Sequence, residues 1–339
     1  YKGSRPEDAF SYRFPLAFGC QTQLTGLFKT QLADGIMGMD NDRNAFWNQM
    51  IQSKTVVKKS FSLCFNRQPL VERNGTSAGA LTLGGIDSRL HSSPMVYAKN
   101  KRSTGYYTVN LRRIYLRPGG GESLSDNADA QLRLLLLSEG TLNSGGVIVD
   151  SGTTDTYLVR QIGNQFKKVW KDITGKDFNN NAVALNDDDL HRLPTVIFQF
   201  ESAHDSDDPN GVVGLAGDAI DPEHPNDVVF AMPSSHYMEY NSETRKYTNR
   251  INLNEAYGSV LGANLMMGHD VAFDIDNQRI GFAESACNYN QLVGIPDKKY
   301  PDPNQLFPQE QLVEGVKDLK KIIVPLLLIG ILATLMVIH

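Results

Sequence analysis

Three apolar β-formers that run straight into an acid constrain this chain more than any other stretch. Val147-Ile148-Val149 leads into Asp150, and Ser151, Gly152, Thr153 and Thr154 follow at once. The apolar run reads as a buried strand. Gly152 permits a tight turn directly after it. Asp150 therefore sits where a core strand gives way to a loop. A carboxylate there costs free energy unless donors surround it. The hydroxyls of Ser151, Thr153 and Thr154 and the N–H groups of the turn are the donors at hand. On these residues alone two readings stand: an ordinary strand-to-turn corner, and an acid held for chemistry. Phosphoryl-transfer enzymes with an aspartate at a strand end want a second acid two positions on, where this chain has Gly152.

The bulk properties exclude several classes. A chain of 339 residues has room for two domains of ordinary size. Its net charge is −5 and it carries no Lys/Arg run, so no nucleic-acid partner is expected. The acidic clusters Asp187-Asp188-Asp189 and 205–208 read as solvated loops, not metal sites. His191, His236 and His269 lack the spacing of zinc or serine-protease sites. Gly119-Gly120-Gly121 lacks the lysine and helix of a phosphate cradle. No metal and no cofactor are expected. Three cysteines, Cys20, Cys64 and Cys287, leave one unpaired or paired outside the chain. Cys64 lies in an apolar strand pattern and reads as structural, not as a nucleophile. Asn74-Gly75-Thr76 is a glycosylation sequon.

Along the chain, apolar spacing predicts a helix over 44–51. Strands are predicted at 61–65, at 80–83 and, by alternation, over 106–116. The run 130–137 fits a short strand or a helix. Leu158, Ile162, Phe166, Val169 and Ile173 recur at helical spacing, and Gly175 marks the stop. Residues 193–200 form a strand entered from Pro194, and short strands continue from 228 to 282. Residues 205–225 read as an acidic surface insertion.

Further motifs make the Asp150 corner specific. Val260-Leu261-Gly262 and Ile36-Met37-Gly38 are two apolar-apolar-glycine segments, the earlier within Ala33-Asp34-Gly35-Ile36-Met37-Gly38-Met39. Phe273-Asp274-Ile275-Asp276-Asn277-Gln278-Arg279-Ile280-Gly281-Phe282-Ala283 has the form of a closing hairpin. Gly84-Gly85-Ile86-Asp87 and Gly105-Tyr106-Tyr107-Thr108-Val109-Asn110-Leu111 complete the set. In order and spacing, from about residue 18 to 287, the chain resembles the pepsin-like aspartic proteases. It is similar to plant, plasmepsin V-like and membrane-anchored beta-secretase-like members. The resemblance implies a mainly β, bilobal fold, with residues 1–104 in the amino-terminal lobe and 105–288 in the carboxyl-terminal lobe. Asp150 would be one of two catalytic aspartates, with Ser151, Gly152, Thr153 and Thr154 supporting it and lining the cleft. Gly152 and Thr153 would orient the carboxylate, and Ser151 would tie the two lobes together. The family places its first catalytic Asp and its flap tyrosine ahead of the Ile36-Met37-Gly38 segment. Both are expected to precede Tyr1, leaving the amino-terminal lobe incomplete here. The resemblance also pairs Cys64 with Cys287, and leaves Cys20 for a cysteine ahead of Tyr1.

From residue 289 the character changes. Prolines and scattered charges mark a stem over 289–321. Residues 322–338 are nearly all apolar, and these 17 positions sit at the lower limit for crossing a bilayer. A transmembrane anchor is expected, with a glycolipid-anchor signal as the alternative. Lys317, Lys320 and Lys321 before the run argue against a lumenal stem, unless basic residues follow His339. The overall expectation is a monomeric, membrane-anchored aspartic endopeptidase acting on peptides or proteins in a secretory or endolysosomal lumen, or outside the cell. The alternative is a pepsin-like pseudoenzyme or binding module.

Overall fold

The alternating apolar stretches settle into sheets held together by pairings distant in sequence. The computed structural model describes residues 12–20, 22, 23, 25, 29, 35–67, 78–101, 105–119, 131–204 and 221–292, and it is mainly β. One antiparallel sheet has the order β2-β1-β14-β15-β3. Its strands are β1 (Ser60–Phe65), β2 (Gly79–Leu83), β3 (Val96–Lys99), β14 (His269–Asp274) and β15 (Arg279–Glu284). The last two form the predicted closing hairpin, and β14 pairs with β1 through Phe61↔Phe273. This sheet thus takes strands from both sides of the boundary expected at 104/105. Three rings fill its inner face: Phe61 stacks on Phe273 at 4.8 Å, and Tyr107 meets Phe273 at 4.6 Å. The Tyr107 hydroxyl donates to the Met39 carbonyl at 2.9 Å. Cys64 and Cys287 are joined by a disulfide across the sheet's outer part, with Cα atoms 5.1 Å apart. Cys20 is exposed and free among the described residues.

A second antiparallel sheet runs β5-β4-β8-β9. It comprises β4 (Leu111–Arg117), β5 (Arg133–Leu134), β8 (Thr195–Phe200) and β9 (Val228–Met232). Every residue of β8 and β9 is buried, which explains their continuous apolar runs. The strand predicted over 106–116 divides: β4 begins at Leu111, and Thr108 instead bridges Ile148. The unassigned stretch 130–137 holds the short β5 on the free side of β4. A two-stranded ribbon, β10 (Met238–Asn241) and β11 (Lys246–Asn249), stands apart from both sheets.

Helices cover the sheets. The helix α1 (Phe46–Gln52) buries Trp47 and Met50. The short α2 (Glu139–Leu142) buries Leu142 and is capped by the Ser138 side chain. The longest, α3 (Arg160–Thr174), buries Ile162, Phe166 and Trp170 and ends at Gly175 with φ 68°. Leu158 belongs to a strand, β7 (Thr156–Val159), and not to this helix. Its spacing from Ile162 mimics a helical repeat, but pairing with residues 251–255 fixes it as strand. Asp187, Asp188 and Asp189, read as a loop, form the first turn of α4 (Asp187–Arg192). Negative charge at a helix N-terminus is favourable, and Asn186 caps it. Residues 205–220 of the expected insertion lie outside the described residues. Asp221 at its end is 2% exposed and pairs with Arg113 at 2.9 Å, so it is not a solvated acid. Asn74, most of the stem and the run 322–338 also lie outside the described residues. Among those described, no helix is long and apolar enough to cross a membrane.

Two buried histidines make the fold sensitive to acid. The His269 ring lies 4.0 Å from that of Phe230, and its Nδ1 pairs with the Met267 carbonyl at 3.0 Å. His236 stands edge-on to it at 6.3 Å and accepts from Arg67 Nε at 3.2 Å. Burial pushes His269 down to about 4 and, with His269 and Arg67 beside it, pushes His236 well below its usual value. A depressed histidine binds protons better in the unfolded chain, so its contribution to stability is full above the unfolded pKa near 6.5. That contribution is lost progressively as the pH falls through 6.5 toward 4. Replacing His269→Phe, which keeps the stack on Phe230, is expected to flatten this window. Urea unfolding at several pH values between neutrality and 4 should show the wild type losing of order 3 kcal/mol more than the variant. Parallel curves would show that His269 is not the group responsible.

Candidate active site

The Asp150 corner is built from two short parallel strands. β6 (Val147–Val149) pairs in parallel with β13 (Ser259–Leu261), matching Val149 with Leu261. β13 also meets β7 through Val260↔Tyr157, and β12 (Ile251–Glu255) completes a sheet of order β12-β7-β13-β6. On its other side β6 exchanges bonds with the chain at 107–109: Val149 N–H donates to the Tyr107 carbonyl at 2.9 Å, and Val109 N–H to the Val147 carbonyl at 3.0 Å. Parallel pairing needs a long crossover. Here β7, α3 and everything up to β12 lie between the two strands. The Val-Leu-Gly segment then crosses the turn that follows Asp150. Ala263 N–H donates to the Thr153 carbonyl at 2.7 Å, and Asp150 N–H to the Leu261 carbonyl at 3.0 Å. Gly262 is glycine because the chains touch: a Cβ there would lie 2.1 Å from the Asp155 carbonyl oxygen and 2.6 Å from that of Thr153.

Asp150 is 9% exposed. Its Oδ1 accepts from Gly152 N–H at 2.9 Å, and its Oδ2 from the Thr153 hydroxyl at 2.6 Å. The turn therefore holds both oxygens from the chain's own next residues. Ser151 and Thr154, the other hydroxyls named as donors, do not bond the carboxylate among the described residues. The Ser151 Oγ is buried and has no hydrogen-bond partner among the described residues. Thr154 is exposed, and with Asp155, Arg250, Ala263 and Asn264 it lines a cavity of about 250 Å³ behind the turn.

Two residues that sequence reasoning passed over complete the loop. Thr156 Oγ1 donates to Asn264 Oδ1 at 2.8 Å, and both side chains are buried. No local pattern pointed to either, because their partnership exists only through the crossover. A second polar cluster lies on the other sheet, where Asp221, His224 and Asp227 bring ligand atoms within 4.8 Å of one another. Gln199 Nε2 donates to both carboxylates at 2.8 and 2.9 Å. Arg113 stands 2.9 Å from Asp221 and Arg112 2.7 Å from Asp227. Burial would raise Asp221, but Gln199, His224 and Arg113 together hold it below the usual carboxylate value. Asp227, where burial outweighs its bonds, is pushed up. The cluster is a closed ion-pair network, with its charge met by the two arginines.

An acid at a core strand's end, gripped on both oxygens by its own turn and crossed by a Val-Leu-Gly strand, is a loop of the aspartic-protease class. The family described as eukaryotic aspartyl protease matches residues 15–285, and the chain belongs to it. It is 27% identical over 224 residues to plasmepsin VII of Plasmodium falciparum (isolate NF54), covering 62% of this chain and 44% of that protein. It is 31% identical over 169 residues to a "Probable aspartic protease" of Arabidopsis thaliana, covering 47% and 34%. With the beta-secretase of Strongylocentrotus purpuratus the identity is 26% over 227 residues, covering 62% and 36%. The chain thus spans less than half the length of each of these relatives.

The close approach at Gly262 carries its own test. Gly262→Ala must displace two carbonyls of the Asp150 loop, and a loss of more than about 3 kcal/mol in thermal or urea unfolding is expected. Gly85→Ala, where an added Cβ meets nothing within 4 Å, is the control and should stay within about 0.5 kcal/mol of wild type. Equal, small effects at the two sites would contradict the contact.

Proposed function

We propose that this chain supplies Asp150 as one of the two aspartates of an aspartic endopeptidase. The carboxylate gripped by Gly152 N–H and the Thr153 hydroxyl is the observation that carries the reading. Two such carboxylates facing each other share one proton, because like charges so close do not both ionise. The ionised one takes a proton from a water between them, and the water oxygen attacks the peptide carbonyl carbon. The protonated one donates to the developing oxyanion. Collapse of the tetrahedral intermediate breaks the C–N bond; the aspartate that took the water's proton gives it to the departing amine, and the intermediate's hydroxyl returns a proton to the other aspartate. Gly152 and Thr153 orient Asp150, and Thr154 borders the cleft. The unpartnered buried Ser151 hydroxyl supports a role in tying this loop to its counterpart. These 339 residues carry a single Asp-Thr/Ser-Gly triplet, so the second aspartate is not assigned. Peptides or proteins are the substrates, and the protein acts as a monomer.

The placement follows from the sequence. Residues 1–104 and 105–288 form parts of two lobes sharing the sheet that contains β1 and β14. Residues 289–321 are a stem, and 322–338 anchor the protein in a membrane with its catalytic part in a secretory or endolysosomal lumen, or outside the cell. Asn74 is a glycan acceptor there. The Cys64–Cys287 disulfide agrees with an oxidising compartment.

In the full-length protein Asp150→Asn should lower peptide cleavage about a thousandfold or more while leaving the unfolding temperature close to wild type. Wild-type cleavage should peak at acidic pH, because the pair must hold one proton. Near-normal turnover in the variant, or a profile peaking well above neutrality, rules the assignment out. An inactive full-length wild type would favour the binding-module reading. Separately, ending the chain after Asn290 should move the protein from the membrane to the soluble fraction on ultracentrifugation. If the truncated protein still sediments with membranes, the anchor is elsewhere.

A further inference from the structure

The Asp150 loop is held by more than its own turn. Asn264 stands two residues beyond Gly262 and is 6% exposed. Its N–H donates to the Thr154 carbonyl at 3.0 Å. Its Oδ1 accepts from the Thr156 hydroxyl at 2.8 Å, and its Nδ2 donates to the Arg250 carbonyl at 3.2 Å. That carbonyl also accepts from Thr156 N–H at 3.2 Å. One side chain therefore joins three segments distant in sequence: the exit of the Asp150 loop, the crossing segment and the entry to β12. Thr156 is fully buried, so water does not substitute for a lost partner. A primary amide suits the place because it offers an acceptor and a donor at once; a carboxylate lacks the donor, and leucine lacks both. The Arg250 side chain extends the tie outward, 2.7 Å from Glu239 and 3.5 Å from Asp155.

We infer that Asn264 is the positioning residue for Asp150, an inference that rests on the endopeptidase reading above. Asn264 acts through other protein groups, bonding Thr156 and the Arg250 carbonyl and not the Asp150 carboxylate. It sets the Thr153–Thr154 turn through Thr156 and the Arg250 carbonyl, and that turn grips the carboxylate. Without the amide, the buried Thr156 hydroxyl loses its partner and the Arg250 carbonyl loses one of two, and the turn shifts to find others. A small displacement of a catalytic carboxylate slows the chemical step more than it weakens substrate binding.

The test uses the full-length protein with Asn264→Leu, Asn264→Asp and Thr156→Val. Asn264→Leu should lower kcat about tenfold to a hundredfold while KM stays within about twofold. Thr156→Val should lower kcat in the same sense, and the double variant should be no worse than the more impaired single one. Asn264→Asp keeps the acceptor, and in its protonated form regains a donor. Its activity relative to wild type should recover toward low pH and fall as the new carboxyl ionises. Hydrogen exchange gives a readout independent of turnover: in Asn264→Leu the amides of residues 150, 263 and 264 should exchange about tenfold faster, with β8 unchanged. The inference is overturned by kcat within twofold of wild type, by a change in KM alone, or by an Asp variant with no low-pH recovery. It is overturned equally by exchange that rises uniformly, which would mark Asn264 as a general stability residue. A wild type that cleaves no peptide refutes the endopeptidase reading, and unchanged exchange at residues 150, 263 and 264 refutes the positioning role by itself.

Discussion

The hydrogen bond from Asp150 N–H to the Leu261 carbonyl, with its companion from Ala263 N–H to the Thr153 carbonyl, is the constraint on which the site depends. It places an acid at the end of a core strand without leaving the surrounding backbone unpaired. The pairing is parallel, so it requires a crossover, and that crossover contains most of the second lobe. Every element between Thr156 and Glu255 lies within the loop that this pairing closes. The contact also demands glycine at 262, where the backbones approach too closely for any side chain. The Asp150 site therefore stands or falls with the lobe that closes on it.

A second constraint ties the earlier part of the chain to its end. β1 and β2 are completed by β14 and β15, so the sheet joins strands from near the two ends of the described chain. The stacked rings of Phe61, Tyr107 and Phe273 make this junction apolar and specific. The Cys64–Cys287 disulfide reinforces it across a separation of 223 residues. By chain entropy alone such a link contributes roughly 5 kcal/mol. That reinforcement offsets the buried His236 and His269, whose protonation works against the fold in the acidic range where an aspartic endopeptidase would act.

Local pattern made some elements legible and hid others. The helix ending at Gly175 was readable because its apolar face repeats at helical spacing and glycine supplies the left-handed cap. Leu158 reads as part of that helix because a strand residue four positions before Ile162 continues the same repeat. Asp187 to Asp189 read as a solvated loop in the sequence, since acidity alone does not distinguish a loop from a capped first turn. The burial of Asp221 is hidden for the same reason. Composition reports charge, whereas burial depended on Arg113 and Gln199 arriving from two strands of another segment.

What the sequence determined by itself is the corner at Asp150. Apolar strand, acid, hydroxyl, glycine and threonine are adjacent in the chain, and their bonds to the carboxylate span two or three residues. Such short-range geometry is set by local sterics and donor chemistry, so it reads directly from the order of residues. The tertiary structure alone decided which side chains stand behind that corner. Asn264 meets Thr156, the buried Ser151 hydroxyl has no partner among the described residues, and Gly262 presses on Asp155. These contacts join positions about a hundred residues apart, and only the parallel pairing of β6 with β13 brings them within bonding distance.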